Sequence, residues 1–247
     1  MVGIIDQTNR GMGRNVAYVQ KMAAQAGVEI THATGYYKEP FLPPECYTLT
    51  EQQLCDIMVK ELTEGIEGTS VRATVIGEIG TSKDITETEA KVFRAASRAH
   101  AETGAPICTH TTLGTRGLEQ LEIFKSFGVD LSRVVLSHID LSADLDYMKR
   151  LLDQGVNIAF DTIGKCNYQP DVSRADWLSR LCAEGYDTQI VMSMDIPRRS
   201  NFADRGGVGY SYLLDTFAPL ASEAGVPDRA WENLLYRNAL RIYKGQK

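Results

Sequence analysis

The sequence lacks several features that would assign it to a familiar class of protein. Its 247 residues contain no apolar run near the roughly 20 residues of a membrane span. The N-terminus has no basic stretch followed by a long apolar segment, so we expect no secretory signal. There are only four histidines and five cysteines, none spaced as Cys-x-x-Cys, which argues against a finger-type zinc site. This cysteine usage favours a reducing compartment, and we predict a cytoplasmic protein.

An excess of basic charge is also missing. Twenty-six lysines and arginines stand against 32 aspartates and glutamates, and no long run carries charge of one sign. The electrostatic pattern of a nucleic-acid-binding protein is therefore absent. With 43% hydrophobic and 23% charged residues, the composition is that of a globular protein with a substantial core.

Short apolar, β-branched runs recur along the chain and predict seven strands. Amphipathic segments between them predict helices that end near glycines, and Thr48-x-x-Glu51 and Thr86-x-x-Glu89 have the pattern of capping boxes. The predicted strands begin about 31 residues apart, a spacing that suits the βα units of a barrel. The strands are predicted at 2–6, 28–33, 71–78, 106–111, 133–138, 156–160 and 189–193.

The pattern predicts an α/β fold, a TIM (β/α)8-type barrel that forms a single domain over residues 1–247. Seven βα units are recognisable rather than eight. A doubly wound sheet binding a dinucleotide would need a Gly-x-Gly-x-x-Gly turn after the first strand, and the nearest match, Gly11-Met12-Gly13, does not continue the motif. We interpret that segment as a loop that leads into a helix.

Ligand-type side chains stand at or just after the ends of four predicted strands: Glu78, His110, His138 and Asp195. A single histidine at a strand end is more often structural. In a βα barrel, however, the carboxyl ends of all strands meet at one rim. Carboxylate oxygen and imidazole nitrogen together are the ligands of Zn²⁺, and a metal would offset the cost of unpaired carboxylates. We therefore predict a metal centre at this rim.

The same segments resemble the phosphotriesterase family of the amidohydrolase superfamily. The resemblance extends over essentially the whole chain, and its order and spacing are more specific than any one motif. It implies a zinc-dependent hydrolase that cleaves ester bonds (phosphoester, lactone or carboxylic ester) with a metal-activated water. The motifs are Thr34-Gly35-Tyr36-Tyr37, Gly77-Glu78-Ile79-Gly80, Thr109-His110-Thr111, Ser137-His138, Phe160-Asp161-Thr162-Ile163-Gly164-Lys165, Ser193-Met194-Asp195 and Asp195-Ile196-Pro197-Arg198-Arg199-Ser200.

Roles follow from the resemblance position by position. Glu78 corresponds to the ligand that bridges two metal ions, where other members carry a carboxylated lysine. His110 and His138 correspond to ligands of the more exposed ion. Asp195 corresponds to a ligand of the buried ion that also accepts a proton in catalysis. A small-molecule ester is the implied substrate, and a homodimer is the only assembly we consider.

The sequence departs from the family in one respect. Members begin with a strand ending in His-x-His, which supplies two ligands of the buried metal, and no such motif occurs here. The remaining histidines, His32 and His100, are predicted to be structural. We expect a barrel with its first strand missing, at most one of the family's two zinc ions fully coordinated, and impaired hydrolysis.

Substrate contacts are expected from the loops that follow the strands. Arg198 and Arg199 suit bidentate binding of a phosphate or carboxylate, although a solvated surface pair fits their sequence equally well. Tyr37 is expected to line the pocket. Two other functions stay open: a non-catalytic barrel that binds a metal or a partner, and a Schiff-base aldolase that uses Lys165.

Overall fold

The computed structural model of the protein describes residues 3–244, and its strands lie within a few residues of the predicted ones. Val2, at the start of the first predicted strand, lies outside the described residues, as do residues 1 and 245–247 of the predicted domain. The strands follow chain order in the sheet. They are β1 (Gly3–Asp6), β2 (Glu29–Thr34), β3 (Ala73–Thr81), β4 (Ile107–Thr111), β5 (Val134–Ser137), β6 (Asn157–Phe160) and β7 (Ile190–Met192).

Helices alternate with these strands, as the amphipathic segments predict. No helix among residues 3–244 combines the length and apolar character needed to cross a membrane. The helices are α1 (Val16–Ala26), α2 (Glu45–Thr48), α3 (Glu51–Thr63), α4 (Glu87–Thr103), α5 (Gly117–Ser126), α6 (Leu145–Leu152), α7 (Asp171–Ala183), α8 (Ala218–Glu223) and α9 (Asp228–Glu232). One π-helical turn, Leu213–Phe217, precedes α8, and two, Asn233–Arg237 and Leu240–Lys244, follow α9.

One of the two predicted capping boxes is wrong. The box at Thr86 and Glu89 is present at the start of α4. Thr48, however, is the last residue of the short helix α2, and the cap of α3 is formed by Thr50 with Gln53. Thr50 has the extended backbone that an N-cap requires, with φ −70° and ψ 162°, whereas Thr48 is helical and cannot cap the helix that follows.

The described chain divides into two compact units. The first contains the residues up to Thr112 together with Arg116–Val135, and therefore β1 to β4 and α1 to α5. The second contains Leu113–Thr115 and the chain from Leu136 onward, with β6, β7 and α6 to α9. A single domain over residues 1–247 remains a prediction.

The core of the first unit lies between its parallel strands and the helices that connect them. Met58 of α3 and Phe93 of α4 are fully buried, and the Phe93 ring stacks on Phe124 of α5 at 5.3 Å between centroids. Burial of aromatic and aliphatic side chains of this size stabilises each helix on the sheet by roughly 1.5–3 kcal/mol per side chain.

A buried ionic cluster also lies in the first unit. Glu61 of α3 accepts two hydrogen bonds from Arg14 at 2.7 and 2.8 Å, one from Arg10 at 3.1 Å and one from the Thr34 hydroxyl at 2.7 Å. Burial opposes ionisation of Glu61, but the hydrogen bonds from Arg14 and Thr34 outweigh it and lower the pKa of this carboxyl. The cluster therefore joins the segment between β1 and α1, which carries Arg10 and Arg14, to β2 and α3.

Candidate active site

In the first unit, Glu78 and His110 lie on adjacent parallel strands. The β3–β4 pairing places Gly80 opposite His110, and its register shifts between Ile76 and Ile79. This irregularity contains Glu78, and such a bulge changes the direction of a side chain at the end of a strand. A Glu78 carboxylate oxygen lies 3.7 Å from Nδ1 of His110.

Gly77 explains why the ligand-bearing strands can approach so closely. A Cβ atom at this position would lie 2.4 Å from the carbonyl oxygen of Cys108 on β4, and the backbone has φ +153°. Only glycine fits both conditions without a shift of the backbone. The Gly-Glu pair in the sequence motif is therefore a requirement of geometry as well as of chemistry.

The backbone of Glu78 is held by the loop that follows β1. Its carbonyl oxygen accepts a hydrogen bond of 2.7 Å from Nδ2 of Asn9, and its amide lies 3.5 Å from the carbonyl oxygen of Gln7. Asn9 is almost fully buried. Sequence reasoning missed Asn9, although it is a polar side chain just beyond the end of a strand.

Tyr37, predicted to contact substrate, lies against one of the predicted ligands. Its hydroxyl is 2.9 Å from Nδ1 of His110, and the two rings meet edge to face with centroids 4.9 Å apart. The Phe41 ring packs against the Tyr37 ring, with centroids 5.7 Å apart. This packing fixes the plane of the His110 imidazole, so Tyr37 can orient His110 whether or not it also touches substrate.

In the second unit, His138 is oriented by a carboxylate. His138 directly follows β5 with a left-handed backbone, φ +63°. Its backbone amide and its Nδ1 are 2.9 and 2.8 Å from the same oxygen of Asp161, which directly follows β6. A carboxylate at Nδ1 favours the tautomer with its proton there, and Nε2 then keeps a lone pair for a ligand. Asp161 belongs to a quoted motif, but the sequence assigned it no role.

Asp195, the fourth predicted ligand, lies shortly after β7 and has a left-handed backbone as well, with φ +42°. Left-handed conformations are unusual for residues other than glycine and cluster at functional sites. One oxygen of Asp195 accepts a hydrogen bond from Nζ of Lys165. A lysine whose Nζ donates to a carboxylate is not the desolvated free amine that a Schiff base needs.

A fully buried arginine joins several of these loops. Arg174 of α7 donates to Asp140 at 2.7 Å, to the Thr162 hydroxyl at 2.8 Å and to Asp171 at 2.7 Å. Burial raises the pKa of Asp140, and the charge of Asp161 adds to the effect. Sequence reasoning missed Arg174, because an arginine within an amphipathic helix normally faces solvent.

Asp171 extends this network to the turn that carries Lys165. Both of its carboxylate oxygens lie 3.2 Å from the amide of Gly164, and one accepts a hydrogen bond of 3.0 Å from the Tyr212 hydroxyl. Gly164 has φ +82°, and a Cβ there would be 3.2 Å from the Tyr212 ring. The turn is thus held from behind by α7 and from the side by Tyr212.

The remaining candidates lie apart from these contacts. Arg198 and Arg199 are exposed in the segment after Asp195. His32 and His100 are buried and hydrogen-bonded: Nε2 of His32 lies 2.9 Å from the side-chain Nε2 of Gln20, and Nδ1 of His100 lies 2.8 Å from the carbonyl oxygen of Ala105.

Alternating βα units in a parallel sheet, with acidic and imidazole side chains near or just beyond the carboxyl ends of the strands, define an α/β protein of the TIM-barrel type. The model of the phosphotriesterase family matches residues 1–243, and the chain belongs to this family.

The phosphotriesterase homology protein of Escherichia coli (strain K12) is 42% identical over 242 residues, which cover 98% of this chain and 83% of that protein. Its crystal structure, with phosphate in the active site, superposes with a TM-score of 0.95 over the same shares of the two chains. These values confirm the predicted family and fold class.

Two further relatives have named activities. The N-acetyltaurine hydrolase of Danio rerio is 31% identical over 250 residues, covering 96% of this chain and 72% of that protein. The lactonase Lmo2620 from Listeria monocytogenes has a crystal structure with a TM-score of 0.92 and 29% identity, covering 100% of this chain and 82% of that chain. Both are hydrolases, which supports a hydrolase in this chain too.

Proposed function

We propose that the protein is a zinc-dependent hydrolase that acts on ester bonds of small molecules, with phosphoesters, lactones and carboxylic esters as the candidate substrates. The observation that carries the proposal lies in the first unit, where a Glu78 carboxylate oxygen is 3.7 Å from Nδ1 of His110 on the neighbouring strand. We propose His138 and Asp195 as the further ligands. Membership of a family with a lactonase and an N-acetyltaurine hydrolase among its relatives supports hydrolysis as the reaction class.

The chemistry of the side chains fits zinc. One carboxylate oxygen and two imidazole nitrogens are ligands that Zn²⁺ prefers, and Asp195 would add a second carboxylate. The hydrogen bond from Nδ1 of His138 to Asp161 is the kind of contact that normally supports a zinc-binding histidine. The hydroxyl of Tyr37 restrains His110 in a comparable way.

The mechanism assigns a task to each side chain. A bound zinc ion would supply an acidified water and polarise the bond to be cleaved. Asp195 would accept the proton that the attacking water loses. Arg198 and Arg199 would bind an anionic group of the substrate, and Tyr37 would line the pocket beside His110.

The ligand count sets an expectation for the metal content. Since the sequence has no His-x-His pair, we expect no more than one fully coordinated zinc ion per chain, and hydrolysis weaker than a two-metal centre would give. Two tightly bound ions per chain would contradict this. A metal- or partner-binding protein without turnover is the second candidate, favoured by the same missing pair.

We also propose a cytoplasmic location from the cysteine usage.

The test combines metal analysis with a hydrolysis screen. The full chain, purified and loaded with zinc, is assayed on an aryl phosphoester, a lactone, an aryl carboxylic ester and N-acetyltaurine. Zinc-dependent turnover of an ester supports the proposal. Zinc binding without turnover of any substrate favours the second candidate. Incubation of metal-free protein with an aldehyde or ketone that gives a borohydride-trapped lysine adduct would indicate the aldolase.

A variant pair tests the ligand assignment. His138→Ala should lose bound zinc while its circular dichroism remains that of a folded protein. His100→Gln, a change at a histidine with structural contacts only, should keep its zinc. Unchanged zinc content in His138→Ala would remove this residue from the site.

A further inference from the structure

The ion pair between Lys165 and Asp195 is the feature that the proposed mechanism leaves unused. Lys165 donates from Nζ to one oxygen of a carboxylate that we propose as a metal ligand. The lysine side chain is only 16% exposed and that of Asp195 36%, so neither group is a freely solvated surface charge. The ammonium group therefore lies against one of the two oxygens that Asp195 could offer to a metal ion.

Lys165 is presented by a turn with a fixed shape. Its amide donates to the carbonyl oxygen of Thr162 at 3.0 Å, and the preceding residue, Gly164, is anchored to Asp171. A lysine on an anchored turn loses less side-chain and backbone entropy on pairing than a lysine on a mobile loop. The contact with Asp195 is therefore built into the fold of the turn.

A second lysine pair in the same unit shows the contrast. Lys149 of α6 donates to Glu184, just beyond the end of α7, where no proposed ligand lies. That pair has similar exposure, 24% for the lysine and 45% for the glutamate. The Lys149 pair connects two helices, whereas the Lys165 pair connects the segments that follow β6 and β7 and includes the proposed ligand Asp195.

We propose that Lys165 is a built-in counter-cation of Asp195 that a metal ion must displace before Asp195 can bind it. The inference rests on the proposed function. A divalent ion and the ammonium group compete for the negative charge of one carboxylate and repel each other at short range. Lys165 thus keeps Asp195 paired and in place without metal, and weakens the affinity of the site for metal. It is a positioning residue for Asp195.

The test is calorimetric titration of zinc into metal-stripped full-length protein, and it needs no enzymatic activity. Lys165→Met should tighten zinc binding about tenfold, ~1.4 kcal/mol. Lys165→Arg, which keeps the charge, should bind zinc about as the unmodified protein does. Lys149→Met, which removes the matched lysine pair, should leave the dissociation constant unchanged. Lys165→Gln, which keeps a polar group without charge, repeats the measurement if Lys165→Met is poorly folded.

A double variant shows whether the effect passes through Asp195. In an Asp195→Asn background, Lys165→Met should no longer tighten binding, because the group for which the two cations compete has lost its charge. Equal or weaker zinc binding in folded Lys165→Met and Lys165→Gln would overturn the inference, and so would tightening that persists with Asp195→Asn. Absence of zinc binding in the unmodified protein would refute the proposed function. Normal binding that His138→Ala abolishes and Lys165→Met leaves unchanged would refute only the role of Lys165.

Discussion

Asp161 should control how tightly the protein binds zinc without binding it directly. One of its oxygens accepts hydrogen bonds from both the backbone amide and Nδ1 of His138. In Asp161→Asn, an amide oxygen can still accept both bonds, so the orientation of the imidazole is kept and only the charge is lost. Charge-assisted hydrogen bonds are roughly twice as strong as neutral ones.

The size of the effect follows from what each substitution removes. Loss of a supporting partner of a metal-binding histidine typically weakens metal affinity 10- to 100-fold. We expect Asp161→Asn near the lower limit, about tenfold or ~1.4 kcal/mol. Asp161→Ala should fall near the upper limit, about 100-fold, because the imidazole loses its partner. It should also cost ~1–3 kcal/mol of folding free energy, since two nearly buried donors of His138 lose this carboxylate acceptor.

The assay is zinc competition with a chelating dye at one neutral pH, with urea unfolding measured on the same samples. Asp144→Asn is the matched control. Asp144 caps α6, accepting from the Tyr147 amide at 2.9 Å, and asparagine caps a helix as well as aspartate. If folded Asp161→Ala bound zinc as tightly as the unmodified protein, the carboxylate would have no part in orienting His138.

Other predictions concern the first unit. Glu61→Gln should lower the free energy of unfolding in urea by about 3 kcal/mol, because it leaves the buried Arg14 guanidinium against a neutral amide. The exposed Glu87→Gln should cost under ~1 kcal/mol, and equal losses would contradict this account. The pKa of Glu61 is lower in the folded protein than in the unfolded chain. Its contribution to stability should therefore be complete above the unfolded pKa, about 4.3, and be lost as the pH falls through the lower folded pKa. Unfolding measured at several pH values checks this. Gly77→Ala should destabilise the protein in urea by at least ~2 kcal/mol more than Gly128→Ala, whose added Cβ meets no atom within 4 Å; equal losses would show that the approach to β4 is not restrictive.

The sequence was sufficient for most of the fold because its signals are local. Short apolar runs separated by amphipathic segments depend on residues near one another in the chain, and so do left-handed glycines such as Gly27 and Gly104 that end helices. The capping box at Thr48 failed because an unrecognised short helix, which begins directly after Pro44, contains Thr48 as its last residue. The end of α2 and the start of α3 lie so close together that both threonines, Thr48 and Thr50, match the residue type of an N-cap.

The site was predictable where polar residues end strands, and less so where tertiary contacts decide. Glu78 and His110 were selected by position, and the structure brings them together in the first unit. Asp161 satisfies the same rule and was passed over, since its partner is known only from the fold. Arg174 gives no signal at all: its complete burial depends on Asp140, which lies far from it in the sequence. The assignment of His138 and Asp195 to one metal centre remains a prediction.

The anchoring of Gly164 by Asp171 and Tyr212 separates two tasks along the chain. The turn that presents Lys165 takes its shape from α7, whereas the stretch from Arg198 to Gly207 contributes no hydrogen bond to that turn among the described residues. If Arg198 and Arg199 bind the substrate as proposed, randomising this stretch while keeping Tyr212 should change which molecules are bound and leave the turn of Lys165 intact. A designer seeking a new hydrolase from this scaffold has a natural place to begin.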